Sequence, residues 1–136
     1  MKSSRDMVDA ANAEVECIEA AEAIPLLGNE GMRDVAPVTF VDLRDVRELE
    51  RDGMIPGAVH CPRGMLEFWI DPESPYARDV FRRKGRFVFY CASGWRSALA
   101  TKTAQDMGLD GVSHIVDGFS GWKDAGGPVA ARERKG

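Results

Sequence analysis

Short apolar runs alternate along this chain with stretches of helical period, and that alternation sets the expected architecture. Residues 87–90 (FVFY) form a continuous β-branched and aromatic run, the pattern of a strand buried on both faces. Residues 38–43 (VTFVDL) and 112–116 (VSHIV) read the same way, and residues 15–18 and 59–61 are shorter candidates. After Tyr90 the period changes. Leu99, Ala100, Thr103, Ala104 and Met107 recur as one helical stripe, and Gly108 supplies the stop.

The connecting text predicts further helices. Residues 19–27 are Ala-rich, with Pro25 expected to kink or end them. Asp45 and Glu48 have the spacing of an N-cap and its N3 partner, opening a helix that closes at Gly53. Residues 63–70 are amphipathic and carry Phe68 and Trp69, and a last short helix follows Asp117. Residues 1–13 show no clear period and are expected to form a loose arm, residues 28–37 a loop, and residues 131–136 a charged tail. Strands alternating with short helices predict a single α/β domain over residues 14–130. Its centre is a parallel sheet of about five strands with helices on both faces.

Composition narrows the partners. A net charge of −4 leaves no global basic footprint for nucleic acid, so any anion must be held by local arginines and backbone amides. The cysteines, Cys17, Cys61 and Cys91, are too widely spaced for a disulfide framework or a metal knuckle. A reducing, cytoplasmic setting is the expectation. No apolar run has signal-peptide or membrane-spanning length, and Asp6 and Asp9 argue against a transit peptide.

The candidate chemistry lies where the run at 87–90 ends: Cys91, Ala92, Ser93, Gly94, Trp95, Arg96, Ser97. Ligands of open parallel sheets sit beyond the carboxyl ends of the strands, and Cys91 is placed there. The loop closes onto a helix N-terminus, where unpaired N–H groups favour negative charge. A thiol held there beside Arg96 is expected to ionise more readily than free cysteine. The competing reading is a small buried hydrophobe capping a core strand. Gly94 and Arg96 favour the reactive one, because a purely structural cap needs neither.

Other residues read more plainly. Asp42 and Arg44 are expected to form a structural pair near the strand ends. Arg47 and Arg63 read as solvated or locally paired, His60 and His114 as core-edge residues, and Trp69, Phe119 and Trp122 as packing. Arg82, Arg83 and Lys84 read as a solvated turn. Two isolated histidines make a poor metal site.

Three stretches then carry a family resemblance. Residues 41–45 (VDLRD), running through Glu48 to residues 53–58 (GMIPGA), are similar to the rhodanese signature D-x-R…E…G-H-I-P-G-A. Residues 91–97 (CASGWRS) resemble its CxxGxRS active loop. Residues 117–122 (DGFSGW) with Ala125, Gly126, Pro128 and Val129 are similar to its C-terminal motif. In this order and spacing the chain resembles a single-domain rhodanese-like sulfurtransferase over residues 15–129. Met54 stands where the family has histidine, and Trp95 where it has a small or polar residue.

The resemblance implies a catalytic Cys91 that takes the outer sulfur of thiosulfate or a related persulfide donor. The sulfur then passes to cyanide, a thiol or a protein acceptor, with ping-pong kinetics. It implies a substrate cradle of Ala92, Ser93, Gly94, Trp95, Arg96 and Ser97, with Ser93 and Ser97 offering hydroxyl donors. Asp42 and Arg44 are supporting residues, and no metal or organic cofactor is implied.

Two alternatives stay open. Cysteine phosphatases of the related fold carry five residues between Cys and Arg, whereas Ala92 to Trp95 are four, a tighter cradle than phosphate needs. The other is a non-catalytic rhodanese-like binding or sulfur-carrier module.

Overall fold

The computed structural model describes residues 1–28 and 36–133. The expected loop at 28–37 therefore falls mostly outside the described residues, as does the second half of the tail. Five strands form one parallel sheet in the order β1-β5-β4-β2-β3. They are β1 (Glu16–Ile18), β2 (Val38–Asp42), β3 (Val59–His60), β4 (Arg86–Tyr90) and β5 (Val112–Ile115). The helices are α1 (Ser4–Asn12), α2 (Ala20–Ala23), α3 (Val46–Asp52), α4 (Leu66–Ile70), α5 (Trp95–Met107) and α6 (Gly118–Asp124).

The central strand explains the layering. On β4, Phe87 and Phe89 face one side and pack with Ala100 and Ala104 of α5 and with Leu66 and Ile70 of α4. Val88 and Tyr90 face the other side, among Ala20 and Ala23 of α2 and Phe119 and Trp122 of α6. A strand covered on both faces needs an unbroken apolar run. Burying each of these side chains contributes about 1.5–3 kcal/mol. Ala100 and Ala104 are small, which brings α5 close to the sheet and sets the loop before it against the end of β4.

The amino terminus differs from the loose arm expected. Residues 4–12 are helical, with Ser3 Oγ accepting the Asp6 N–H at 3.0 Å as an N-cap. Only Val8 and Ala11, three residues apart, face inward, and they pack on Ala98 of α5. Two apolar positions are too few to produce a visible period.

Elsewhere the differences are local. A single 3₁₀ turn (Arg63–Met65) precedes α4, and a second (Ile24–Leu26) holds Pro25, which does end α2. Asp45 caps α3 through the Arg47 N–H at 2.8 Å, but Glu48 does not complete the box. It reaches across to Arg96 instead. The reciprocal box forms at α2, between Glu19 and Glu22.

Candidate active site

Cys91 follows the last residue of β4, and four residues later α5 begins at Trp95. The Gly94 N–H donates to Cys91 Sγ at 3.2 Å and the Ser97 N–H at 3.4 Å. Cys91 is only 1% exposed, yet its sulfur faces amides rather than apolar side chains alone. Cys61 has no such setting. It is buried, and desolvation pushes its thiol up to about 12 despite the nearby Arg63 charge.

The rest of the loop carries open backbone donors. No side chain caps the start of α5. Helix geometry gives the N–H groups of Trp95 and Arg96 no partner within the helix, so they remain open donors at the start of α5. Two glycines fix the curvature. Gly94 adopts φ +98°, and a Cβ there would fall 2.2 Å from the Val116 carbonyl oxygen. Gly118 adopts φ +65° and lies against the backbone of Ala92 and Ser93, where a Cβ would meet the Ala92 oxygen at 2.4 Å.

Arg96 sits on the first turn of α5, 40% exposed, with Nη1 3.2 Å from Glu48 Oε2. Trp95 is exposed and Ser93 also faces solvent. Asp42 and Arg44 do pair, beneath the site rather than in it. Arg44 Nη2 lies 2.7 Å from Asp42 Oδ2 and Nε 3.0 Å from Oδ1, with both residues buried. Burial opposes the Arg44 charge, but the Asp42 hydrogen bonds and carboxylate outweigh it and hold the guanidinium above its ordinary value. Arg44 also donates to the Gly53 carbonyl at 2.8 Å and lies 4.4 Å over the Phe119 ring. It thereby ties β2 to the start of α6. Beside it the buried Tyr90 hydroxyl accepts the Ile55 N–H at 3.1 Å.

The Ser97 hydroxyl is buried between two groups: its Oγ lies 2.9 Å from His114 Nδ1 and 3.5 Å from Cys91 Sγ. One expectation is corrected here. His114 is not a core-edge residue. It is fully buried on β5, with Nε2 2.8 Å from Asn12 Oδ1 and 3.5 Å from Cys17 Sγ. The pleat offered a signal, since Val112 faces α5 and residue 114 shares its side. Arg63 pairs locally with Glu67 at 2.8 Å, and His60 Nε2 donates to the Arg44 carbonyl at 2.7 Å.

A cavity of about 650 Å³ opens at the opposite end of β4, among Phe81, Arg82, Gly85, Phe87 and Met107. It lies away from the sulfur, so its size does not mark the site. Among the described residues no cluster of His, Cys, Asp and Glu suits a metal ion, and no helix is long and apolar enough to cross a membrane.

Several known proteins are similar to this chain. The chain is 27% identical over 90 residues to mouse thiosulfate sulfurtransferase/rhodanese-like domain-containing protein 3, covering 62% of the chain and 57% of that protein. It is 27% identical over 108 residues to a putative sulfur carrier protein, YrkF, of Bacillus subtilis, covering 76% and 54%. The chain thus spans little more than half the length of these relatives. Among solved structures it is similar, at 55% identity and a TM-score of 0.88 over 96% of both chains, to a Rhodopseudomonas palustris protein of unknown function described as a possible tyrosine phosphatase. The profile of the rhodanese-like domain matches residues 26–125, which include β2 to β5 and the Cys91 loop. With that match over most of its length, the chain belongs to the rhodanese-like domain family.

Proposed function

We propose that this domain is a sulfurtransferase working through a Cys91 persulfide. The observation that carries the reading is the pair of backbone N–H groups, from Gly94 and Ser97, aimed at Cys91 Sγ across a four-residue loop. In the first half-reaction the thiolate attacks the outer sulfur of thiosulfate or a related persulfide donor. A new S–S bond forms, the donor's S–S bond breaks, and sulfite departs with the electron pair when thiosulfate is the donor. In the second, cyanide, a thiol or a protein acceptor attacks the outer sulfur and Cys91 leaves as thiolate. No outside oxidant, metal or organic cofactor enters the balance.

The chain's own groups divide the work. The amides hold negative charge on the sulfur, as backbone nests do. Arg96 is the mobile cation of the cradle. Its exposed pair with Glu48 is worth only about 0–1 kcal/mol, so a dianionic donor can take it over. Trp95 stands at the rim, where it limits the width open to an acceptor.

The likeness to a possible tyrosine phosphatase motivates the rival reading, and the loop length argues against it. Four residues between Cys91 and Arg96 leave fewer inward amides than a tetrahedral phosphate ester uses. The sulfur-carrier relative motivates a second variant, in which the same persulfide is delivered to a protein rather than turned over. The test is intact mass after incubation with thiosulfate. The expected result is gain of one sulfur atom on Cys91, removed by cyanide and absent in Cys91→Ser. Failure of every sulfane donor to load Cys91, with hydrolysis of an aryl phosphate, would reverse the assignment.

A further inference from the structure

His114 is a buried titratable group for which sulfur transfer has no direct use. Its ring lies between α1 and α5, and both nitrogens have partners. Nε2 is 2.8 Å from Asn12 Oδ1. The Cys17 thiol approaches the same oxygen at 3.4 Å. Two donors converging on one atom fit an amide oxygen, which only accepts. Nε2 therefore carries the ring proton. Desolvation keeps the ring neutral by lowering its pKa to about 4.

The other nitrogen follows by elimination. A neutral ring protonated at Nε2 has a bare lone pair at Nδ1, 2.9 Å from Ser97 Oγ. Only the Ser97 O–H can fill it. A hydroxyl has one proton, so none is left for Cys91 Sγ, 3.5 Å away on the other side of Ser97. Toward the sulfur Ser97 turns a lone pair, which accepts the thiol S–H.

We propose that His114 is a positioning residue for the nucleophile: by holding the Ser97 hydroxyl proton on Nδ1, it withholds a third hydrogen-bond donor from the Cys91 sulfur. The thiolate then rests on two backbone amides alone. A sulfur with fewer donors ionises at higher pH, but it is the stronger nucleophile once ionised. Asn12 extends the arrangement to α1, because its oxygen fixes which nitrogen of His114 is bare. The titratable and charged groups around this path are few. Cys91 lies beyond Ser97, and Cys17 of β1 is 3.5 Å from Nε2. Arg96 is paired with Glu48, Glu16 with Arg86, and Glu14 with Lys102.

The inference rests on Cys91 as the nucleophile, but its test reads the sulfur and the ring directly and so is separate from sulfur loading. In a Cys17→Ser background, the pH–rate profile of Cys91 alkylation by iodoacetamide is recorded for four proteins: the parent, His114→Phe, Ser97→Ala and the double variant. With His114 removed, the freed hydroxyl turns to the sulfur. The midpoint then moves to lower pH, with about tenfold more thiolate at a fixed pH below it, the size of a hydrogen bond to a charged group. In the Ser97→Ala background the same substitution leaves the midpoint in place. An unchanged midpoint, an upward shift, or a downward shift that persists without Ser97 overturns the proposal. Should His114→Phe fail to fold, nitrogen NMR of the His114 ring in the unmodified protein decides. A neutral ring protonated at Nε2 is expected near neutral pH, and a ring protonated at Nδ1 overturns the proposal.

Discussion

The peptide N–H of Phe119 donates to the carbonyl oxygen of Cys91 at 2.8 Å, and the next N–H, of Ser120, donates to Ala92 at 3.1 Å. The first turn of α6 therefore engages the carbonyl side of the active loop. A peptide plane that gives its oxygen to α6 points its N–H the opposite way, so these bonds fix how the Ala92 and Ser93 N–H groups are turned. The Gly118–Trp122 stretch is thus a clamp on the site from behind, and Arg44 stacked on the Phe119 ring steadies the clamp.

Gly118→Ala tests the clamp. The new methyl would meet the Ala92 oxygen at 2.4 Å and the Ser93 nitrogen at 2.7 Å in a left-handed backbone conformation. The expected cost is about 1–3 kcal/mol of stability. Because the displaced atoms belong to the loop, sulfur loading of Cys91 falls more than stability does. Urea unfolding and the rate of mass gain with thiosulfate, measured on the same sample, check both. Stable protein with undiminished loading would show that α6 does not hold the loop.

The Asp42–Arg44 pair makes a second prediction. Asp42→Ala leaves a buried guanidinium without its carboxylate, which costs about 3–5 kcal/mol. Replacing both residues with apolar ones of similar size, Asp42→Leu with Arg44→Met, costs less than Asp42→Ala alone, because no buried charge is stranded. Urea titrations of the two variants decide. A double variant less stable than the single one would mean that Arg44 holds Gly53 and Phe119 more tightly than its pairing does.

Much of this was legible in the sequence, for physical reasons that also explain what was not. The run at 87–90 announced a strand covered on both faces, and Cys91, Gly94 and Arg96 marked the loop, because strong local constraints leave local signatures. Helix α1 had no such signature: its inward face is Val8 and Ala11 alone, and tertiary packing on Ala98 holds it in place. The roles of Ser97 and His114 were hidden for a related reason. They lie 17 positions apart and meet only because β5 is placed beneath the start of α5. Glu48 likewise read as a local capping partner but serves a contact with Arg96, 48 positions away.

Glu48→Gln probes how Arg96 is held. The pair is half-exposed, so losing it costs no more than about 1 kcal/mol. The released guanidinium is freer to meet a dianionic donor, and the KM for thiosulfate is expected to fall, more at low ionic strength than at high. Arg96→Ala has the opposite effect, raising KM about tenfold or more. Steady-state kinetics at two salt concentrations test the pair of variants. A Glu48→Gln enzyme with a higher KM would mean that Glu48 orients Arg96 toward the donor rather than competing with it.

Acid stability tests the His114 environment. An ordinary histidine titrates near 6.5, whereas burial lowers this one to about 4. As pH falls through that interval the unfolded chain binds a proton that the folded chain refuses. The contribution is therefore fully present above pH 6.5 and is lost as pH drops toward 4. At about 1.4 kcal/mol per pH unit, the loss amounts to about 2–3 kcal/mol by pH 4.5. His114→Phe carries no such proton, and its stability changes across the same interval only through the titratable groups it shares with the parent. Urea unfolding of both proteins at pH 7 and pH 4.5 isolates the difference. The parent is expected to lose about 2–3 kcal/mol more than the variant, and parallel losses would mean that the buried ring accepts its proton in the folded state.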